Sequence, residues 1–252
     1  MDDNSGQPSA KEVFDTTPYT ILVVDDNPDM TDFLKRTFEG YFKRIIIAGD
    51  GVEALQLVRS HVPDIIVSDV MMPRMNGYKL CKTIKEDINI SHIPVILLTA
   101  RDDRQSQISG YKNGADGYLS KPFEVEMLME LIRNRLKNRE YTKKRYLNAG
   151  LIPTPEESTI SLTDETFLIK LNSIIQENIE NSNLGIQFIC QEVGLGRSSL
   201  YNKLKALTGM GANEYISKLR IEKAITLISG TDMPFSEIAE KTGFTTPSYF
   251  ST

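Results

Sequence analysis

Cysteine is scarce in this chain: Cys81 and Cys190 are the two present, far apart along 252 residues. A disulfide-stapled secreted scaffold is thereby excluded, and each cysteine lies in a helix-like apolar setting that predicts a buried free thiol in a reducing compartment. Long apolar runs are missing as well. No segment approaches the roughly 20 residues of a membrane-spanning helix, and the N-terminus has no apolar signal-peptide core, so we expect a cytoplasmic protein without direct membrane contact. A basic excess is also absent, since 29 Lys and Arg face 34 Asp and Glu for a net charge of −5. That balance excludes a uniformly basic nucleic-acid binder but leaves room for a local patch. Residues 197–223 supply one, with Arg197, Lys203, Lys205, Lys218, Arg220 and Lys223 against Glu214 and Glu222.

What is present divides the chain in two, as its length allows. Residues 1–18 are acidic and contain Gly6, Pro8 and Pro18, which reads as a linker. From Tyr19 to Asn138, short β-rich runs alternate with helical periods. TILVV, RIIIA, DIIVS, PVILL and GYLS are the expected strands. Asn27 and Pro28 open the first helix, whose apolar stripe is Met30, Phe33, Leu34 and Phe38. GVEALQLVRS and YKLCKTIKED follow, then a weakly apolar stretch near 103–113 and a last helix from Phe123 to about Asn138. Strands apolar at nearly every position belong to a parallel sheet covered on both faces. Residues 139–160, broken by Pro153 and Pro155, read as an interdomain linker. From 161 the period is helical, with a start at Thr163, Asp164 and Glu165.

Polar residues stand where the apolar strands end. Asp25 and Asp26 close ILVV, Asp69 closes DIIVS, Thr99 closes PVILL, and Lys121 follows GYLS. The ends of parallel strands share one rim, where open α/β folds bind ligands. A lone Asp after a strand is usually a turn residue, but this series gathers three carboxylates, a hydroxyl and an ammonium. The carboxylates would repel one another unless a divalent cation lay between them, and Mg²⁺ takes one or two carboxylates while keeping waters. Asp26 and Asp69 can reach the ion from adjacent strands, with Asp25 acting through water. A carboxylate beside such an ion can attack phosphorus and form an acyl phosphate. Lys121 and Thr99 would contact the phosphoryl oxygens.

The segments VVDD, SDVMMP with MNG after it, LLTA and YLSKPF resemble the receiver domain of two-component response regulators over residues 19–138. The resemblance implies a flavodoxin-like five-stranded α/β fold and Asp69 as the phosphoacceptor. It also implies a Mg²⁺ (or Mn²⁺) ion held by Asp26, Asp69 and the backbone carbonyl of Met71, with Asp25 beside it. Thr99 and Tyr118 would be the switch pair, and a homodimer through the receiver becomes an expectation. A haloacid-dehalogenase-like aspartyl phosphatase is the enzymatic competitor, but that class resembles D-x-D. Here Met71 occupies the place of the second acid, so slow self-dephosphorylation is the most catalysis expected.

In the second half, IQFICQEV, the break GLGR and SSLYNKLKAL form a helix-turn-helix pattern. FSEIAEKTGFTTPSYF repeats it after a long helix over 212–229. With Leu200, Leu204 and Leu207 facing a core, Ser198, Tyr201, Asn202 and Lys205 face outward, flanked by Arg197 and Lys203. Asn can pair with adenine edges, and Lys or Arg with guanine or phosphate. Residues 161–252 resemble the AraC/XylS-type DNA-binding domain, an all-α double helix-turn-helix. The resemblance implies a double-stranded DNA operator and a second recognition helix from about Pro247 past Thr252. The natural chain is therefore expected to run on, and Ile238 and Phe244 to lack their cover. A histidine kinase, in cis or in trans, would donate the phosphoryl group. The segment 1–18 favours the C-terminal part of a hybrid sensor over a free regulator. The expected function is a phosphorylation-dependent transcription regulator. The alternative is a receiver acting through protein contact, its helical half serving dimerisation.

Overall fold

The computed structural model describes residues 14–100, 114–149 and 161–244. Its first half alternates β1 (Thr20–Val24), α1 (Pro28–Phe38), β2 (Arg44–Ala48), α2 (Gly51–His61), β3 (Ile65–Asp69), α3 (Gly77–Glu86), β4 (Val95–Ala100), β5 (Gly117–Lys121) and α4 (Val125–Ala149). The strands form one parallel sheet in the order β2-β1-β3-β4-β5. Alternate strand residues feed two apolar layers. Leu22, Val24, Ile66 and Leu97 meet Ala54 and Val58 of α2 and Leu80 and Ile84 of α3. Ile21, Val23, Val67, Ile96 and Leu98 meet Leu34 and Phe38 of α1 and Leu128, Ile132 and Leu136 of α4. The chain leaves β1 for β2 on one side and returns to β3 on the other. At that reversal the carboxyl ends of β1 and β3 open a crevice.

Local chemistry starts each helix where the crevice needs it. The Asn27 side chain caps α1 by accepting from Asp29 N, with Pro28 next to it, and Asn76 caps α3 by accepting from Lys79 N. Gly77 lets α3 press against the end of β3. Its N–H donates to Val70 O at 3.0 Å, and a Cβ there would overlap the Asp69 carbonyl oxygen. A side chain at that position would have to push backbone aside.

Four sequence expectations need correction. Phe33 is 48% exposed, because the buried face of α1 centres on Thr31, Leu34 and Phe38. At 3.6 residues per turn Phe33 lies roughly 130° from that centre. The last helix of this half does not stop near Asn138 but continues to Ala149, through much of the expected linker. It is held there by Arg139, which donates to Asp64 O at 3.1 Å, and by Lys143 pairing with Glu140 at 2.6 Å. Phe14 and Thr16, within the expected linker, pack onto the domain instead of trailing from it. Thr16 donates to Tyr41 O at 2.7 Å and the Phe14 ring stacks on Tyr19. Neither cysteine is in a disulfide, but Cys81 alone is fully buried, its thiol pushed up to about 12 by burial, while Cys190 is half-buried.

The second half is helical: α5 (Leu162–Glu177), α6 (Ile186–Val193), α7 (Arg197–Thr208), α8 (Ala212–Gly230) and α9 (Phe235–Lys241). Phe167, Leu171, Ile175, Ile189, Leu200, Leu204 and Ile216 form its core. Ser161, two residues ahead of the expected start at Thr163, caps α5. Gly194 ends α6 at φ 73°, a left-handed turn that favours glycine, and Gly196 begins α7, so α6 and α7 make the expected helix-turn-helix. Ile238 of α9 is 1% exposed and Phe244 half-buried, contrary to the expectation that they lack cover. The turn after α9 packs against the domain itself: a Cβ on Gly243 would strike Ile179 O and Arg220. The stretch 103–113, the prolines of the linker and the second recognition helix from Pro247 lie outside the described residues.

Gly77→Ala should lower stability by about 1–3 kcal/mol through this backbone collision, seen as an earlier urea midpoint with an unchanged slope. An unchanged midpoint would mean that α3 can move off β3 at no cost.

Candidate functional site

Sheet register brings the strand-end residues together. Val24 pairs with Ser68, so Asp25 and Asp69 follow side by side, and Asp69 pairs with Leu98, one residue before Thr99. Ala100 pairs with Lys121, which delivers the ammonium to the same rim. Asp25 is 3% and Asp69 7% exposed. Two carboxylates this buried need positive charge or donors, and both are supplied. Lys121 Nζ lies 2.9 Å from Asp25 Oδ2 and 2.5 Å from Asp69 Oδ1. The remaining oxygens accept from Asn27 N at 2.9 Å and Met71 N at 2.7 Å. Burial works against the Lys121 charge, but its hydrogen bonds to and attraction by Asp69 and Asp25 outweigh that and hold its pKa above the ordinary lysine value.

Thr99 is 1% exposed and its hydroxyl finds no hydrogen-bond partner among the described residues. Buried hydroxyls are rarely left unpaired, and this one stands next to last in β4, one residue past the partner of Asp69. Tyr118 is half-buried on β5, packed against the α2–α3 side of the sheet. Asp26 stands apart from the ion-paired trio and is exposed, as is Met71 at 72%. Among the described residues no three His, Cys, Asp or Glu side chains close into a ready-made metal cage. The donors at the rim are nonetheless all hard oxygens, with no nitrogen or sulfur ligand among them, which suits Mg²⁺ or Mn²⁺ rather than zinc. An ion that keeps most of its waters needs no closed cage.

On α7, Arg197, Ser198, Tyr201 and Lys205 are exposed and Asn202 is half-buried, so five of the residues expected to meet DNA are accessible. Arg197 donates to Gln187 across the helix-turn-helix at 3.4 Å, and Lys205 lies 4.0 Å from Glu214. Lys203 departs from the expectation. Its side chain is 0% exposed, with Nζ 2.5 Å from Asp164 Oδ1, so it is not offered to a phosphate. The reason is legible on the helical wheel: Lys203 lies roughly 60° from Leu200, on the edge of the buried stripe. Sequence reasoning also missed Ser91 and Asp164, which meet Lys203 where the two halves join.

An α/β domain with acids and a lysine on one rim, followed by a helix-turn-helix domain, is the build of a regulator. Residues 21–133 match the response regulator receiver domain, and residues 189–252 match a helix-turn-helix domain of AraC type. Response regulator MprA of a Mycobacterium species is 36% identical over 60% of this chain and 70% of its own length. DNA-binding response regulator MtrA of Mycolicibacterium smegmatis is 36% identical over 54% of this chain and 58% of its own. Histidine kinase P4 of Formosa agariphila is 40% identical over 92% of this chain, which spans only 17% of that protein. The chain belongs to the response regulators, with a receiver domain (the first half) followed by an AraC-type helix-turn-helix domain. Receiver domains bind Mg²⁺ at their phosphorylation site. Among the described residues no helix is long and apolar enough to cross a membrane.

Lys121→Met should leave Asp25 and Asp69 buried side by side without their shared cation. We expect a loss of roughly 1–3 kcal/mol at neutral pH, below the range for fully buried pairs because the lysine is partly exposed. Added Mg²⁺ should stabilise this variant as it binds. Thermal unfolding with and without Mg²⁺ reads both effects, and a variant as stable as the parent in the absence of metal would contradict the charge argument.

Proposed function

We propose that this protein is a transcription regulator of a two-component system in which Asp69 accepts a phosphoryl group from a histidine kinase and the helical domain binds DNA. The observation that carries the reading is the Asp25–Lys121–Asp69 arrangement, with the buried Thr99 hydroxyl, unpaired among the described residues, at the same rim, on the same chain as an exposed recognition helix. Asp26, Asp69 and the Met71 carbonyl would hold Mg²⁺, with Asp25 beside it. Bound there, the ion would neutralise charge on the transferred group.

The chain's own residues do the rest. One Asp69 oxygen is held by Met71 N, which fixes the carboxylate plane; the other, paired with Lys121 in this state, would attack once the lysine gives way. Lys121, shared between Asp25 and Asp69 in this state, would turn to a phosphoryl oxygen once Asp69 carries the group. The Thr99 hydroxyl would donate to another. Its inward movement would open space for the half-buried Tyr118 ring, a change between two packings of the β4–β5 side. A homodimer through the receiver is one outcome of that change. Slow hydrolysis of the acyl phosphate is the most catalysis this site offers.

The helical domain would read its operator through Ser198, Tyr201 and Asn202, with Arg197 and Lys205 on phosphates. The kinase would act in cis in a hybrid sensor, or in trans on a free regulator. The extent of likeness to a histidine kinase favours the hybrid. Either way this part works in the cytoplasm.

Treatment with a small phosphodonor and Mg²⁺ should add one phosphoryl group, detected by intact mass. Asp69→Asn or removal of the divalent ion should abolish it, and full phosphate yield on Asp69→Asn would sink the assignment. For DNA, Asn202→Ala should relax base preference by about 1–3 kcal/mol at one position, whereas Lys205→Ala should weaken all sequences alike and flatten the salt dependence. Binding of selected operators by the full-length protein, measured over a series of salt concentrations, separates these effects. Equal loss of preference in both variants would reject the division of roles.

A further inference from the structure

The recognition helix α7 hides a charge on its back. Lys203 donates to Asp164 Oδ1 at 2.5 Å and to Ser91 Oγ at 2.8 Å, and Ser91 in turn donates to the same Asp164 oxygen at 2.7 Å. The ammonium also lies 5.1 Å from the centre of the Phe167 ring. Lys203 and Ser91 are 0% exposed and Asp164 is 2% exposed. Lys203 and Asp164 both belong to the helical domain; Ser91 belongs to the receiver turn between α3 and β4. Beside it, Thr163 donates to Lys85 O at 3.0 Å, and Ile88 of the receiver packs against the helical core.

A buried ion pair is tolerated when the remaining hydrogen-bonding capacity of both charges is met. Ser91 meets both at once, accepting from the ammonium and donating to the carboxylate, so its fit depends on both charges being present. Burial alone would raise the Asp164 pKa, but the charge and hydrogen bond of Lys203 keep it below the usual carboxylate range. On the other side of α7, Arg197, Ser198, Tyr201 and Lys205 remain exposed. The receiver therefore grips the helix from behind and leaves the front open. Ser91 stands four residues before β4, and Thr99 stands near that strand's other end, so one strand of about 20 Å joins the grip to the phosphoryl rim.

We propose that Lys203, Asp164 and Ser91 form an interdomain clasp by which the receiver docks on the back of the first recognition helix and sets its orientation. The docking stands on the seam itself; its consequence for DNA rests on the reading of α7 as a DNA reader.

The test uses the full chain and needs no DNA. Ser91→Arg sets a cation against Lys203 while leaving the helical domain's own residues untouched. Lys203→Met leaves Asp164 buried without its partner. Each should shift the docking equilibrium about a hundredfold or more toward separated domains. That appears as a larger scattering radius and faster hydrogen exchange over residues 87–94 and 161–166. The triple variant Ser91→Ala, Asp164→Leu, Lys203→Met, apolar throughout, should return to the compact form. Far-UV circular dichroism checks the helices. If Lys203→Met unfolds them, Ser91→Arg decides, and a compact Ser91→Arg protein with wild-type exchange overturns the clasp. Retained docking together with no effect of Asn202→Ala on DNA would instead count against the DNA reading alone.

Discussion

Two carboxylates buried at the ends of adjacent strands cannot share a rim without positive charge between them, and much of the receiver is arranged around that requirement. The pairing of Val24 with Ser68 sets Asp25 beside Asp69, and the pairing of Ala100 with Lys121 brings the cation that joins them. Backbone donors from Asn27 and Met71 take the oxygens Lys121 does not. Gly77 allows α3 to close against the Asp69 backbone, which holds the loop carrying Met71 close to the site. The apolar layers above and below exclude water from everything but the rim, so these few polar contacts act in surroundings where they are strong.

The same logic recurs at the seam between the domains with a different purpose. There too an ammonium is buried against a carboxylate and completed by a hydroxyl. At the rim the ion pair is a resting arrangement that a phosphoryl group and a divalent ion would rearrange. At the seam Ser91 bridges the two charges, accepting from the ammonium and donating to the carboxylate. The strand β4 runs from the seam to the rim and so connects the two polar sites.

How far the sequence could be read depended on whether a feature was local. Strand positions and the helices after them followed from apolar runs and caps, and the rim residues from where those runs stop. Phe33 went wrong because the side of a helix that is covered is decided by the partner surface, not by residue type, and Phe33 lies far round the helix from that side. The continuation of α4 past Asn138 was obscured by a polar sequence whose helix is held by Asp64 on a distant part of the chain. Read from the sequence, Asp26 reaches the ion directly and Asp25 only through water; successive residues at a strand end point to opposite sides, and it is Asp25 that is buried while its neighbour Asp26 is exposed.

The sequence by itself determined the order of elements, the acids, hydroxyl and lysine at the strand ends, and the outward face of α7. Period-2 and period-3.6 patterns fix which residues leave the core wherever burial is one-sided. The tertiary structure decided the fate of Lys203. Taken alone, a lysine on an amphipathic helix reads as a solvated or phosphate-seeking charge. Its burial arises from Asp164, 39 residues away, and Ser91, 112 residues away, and such a pairing exists only when two surfaces of the folded chain meet.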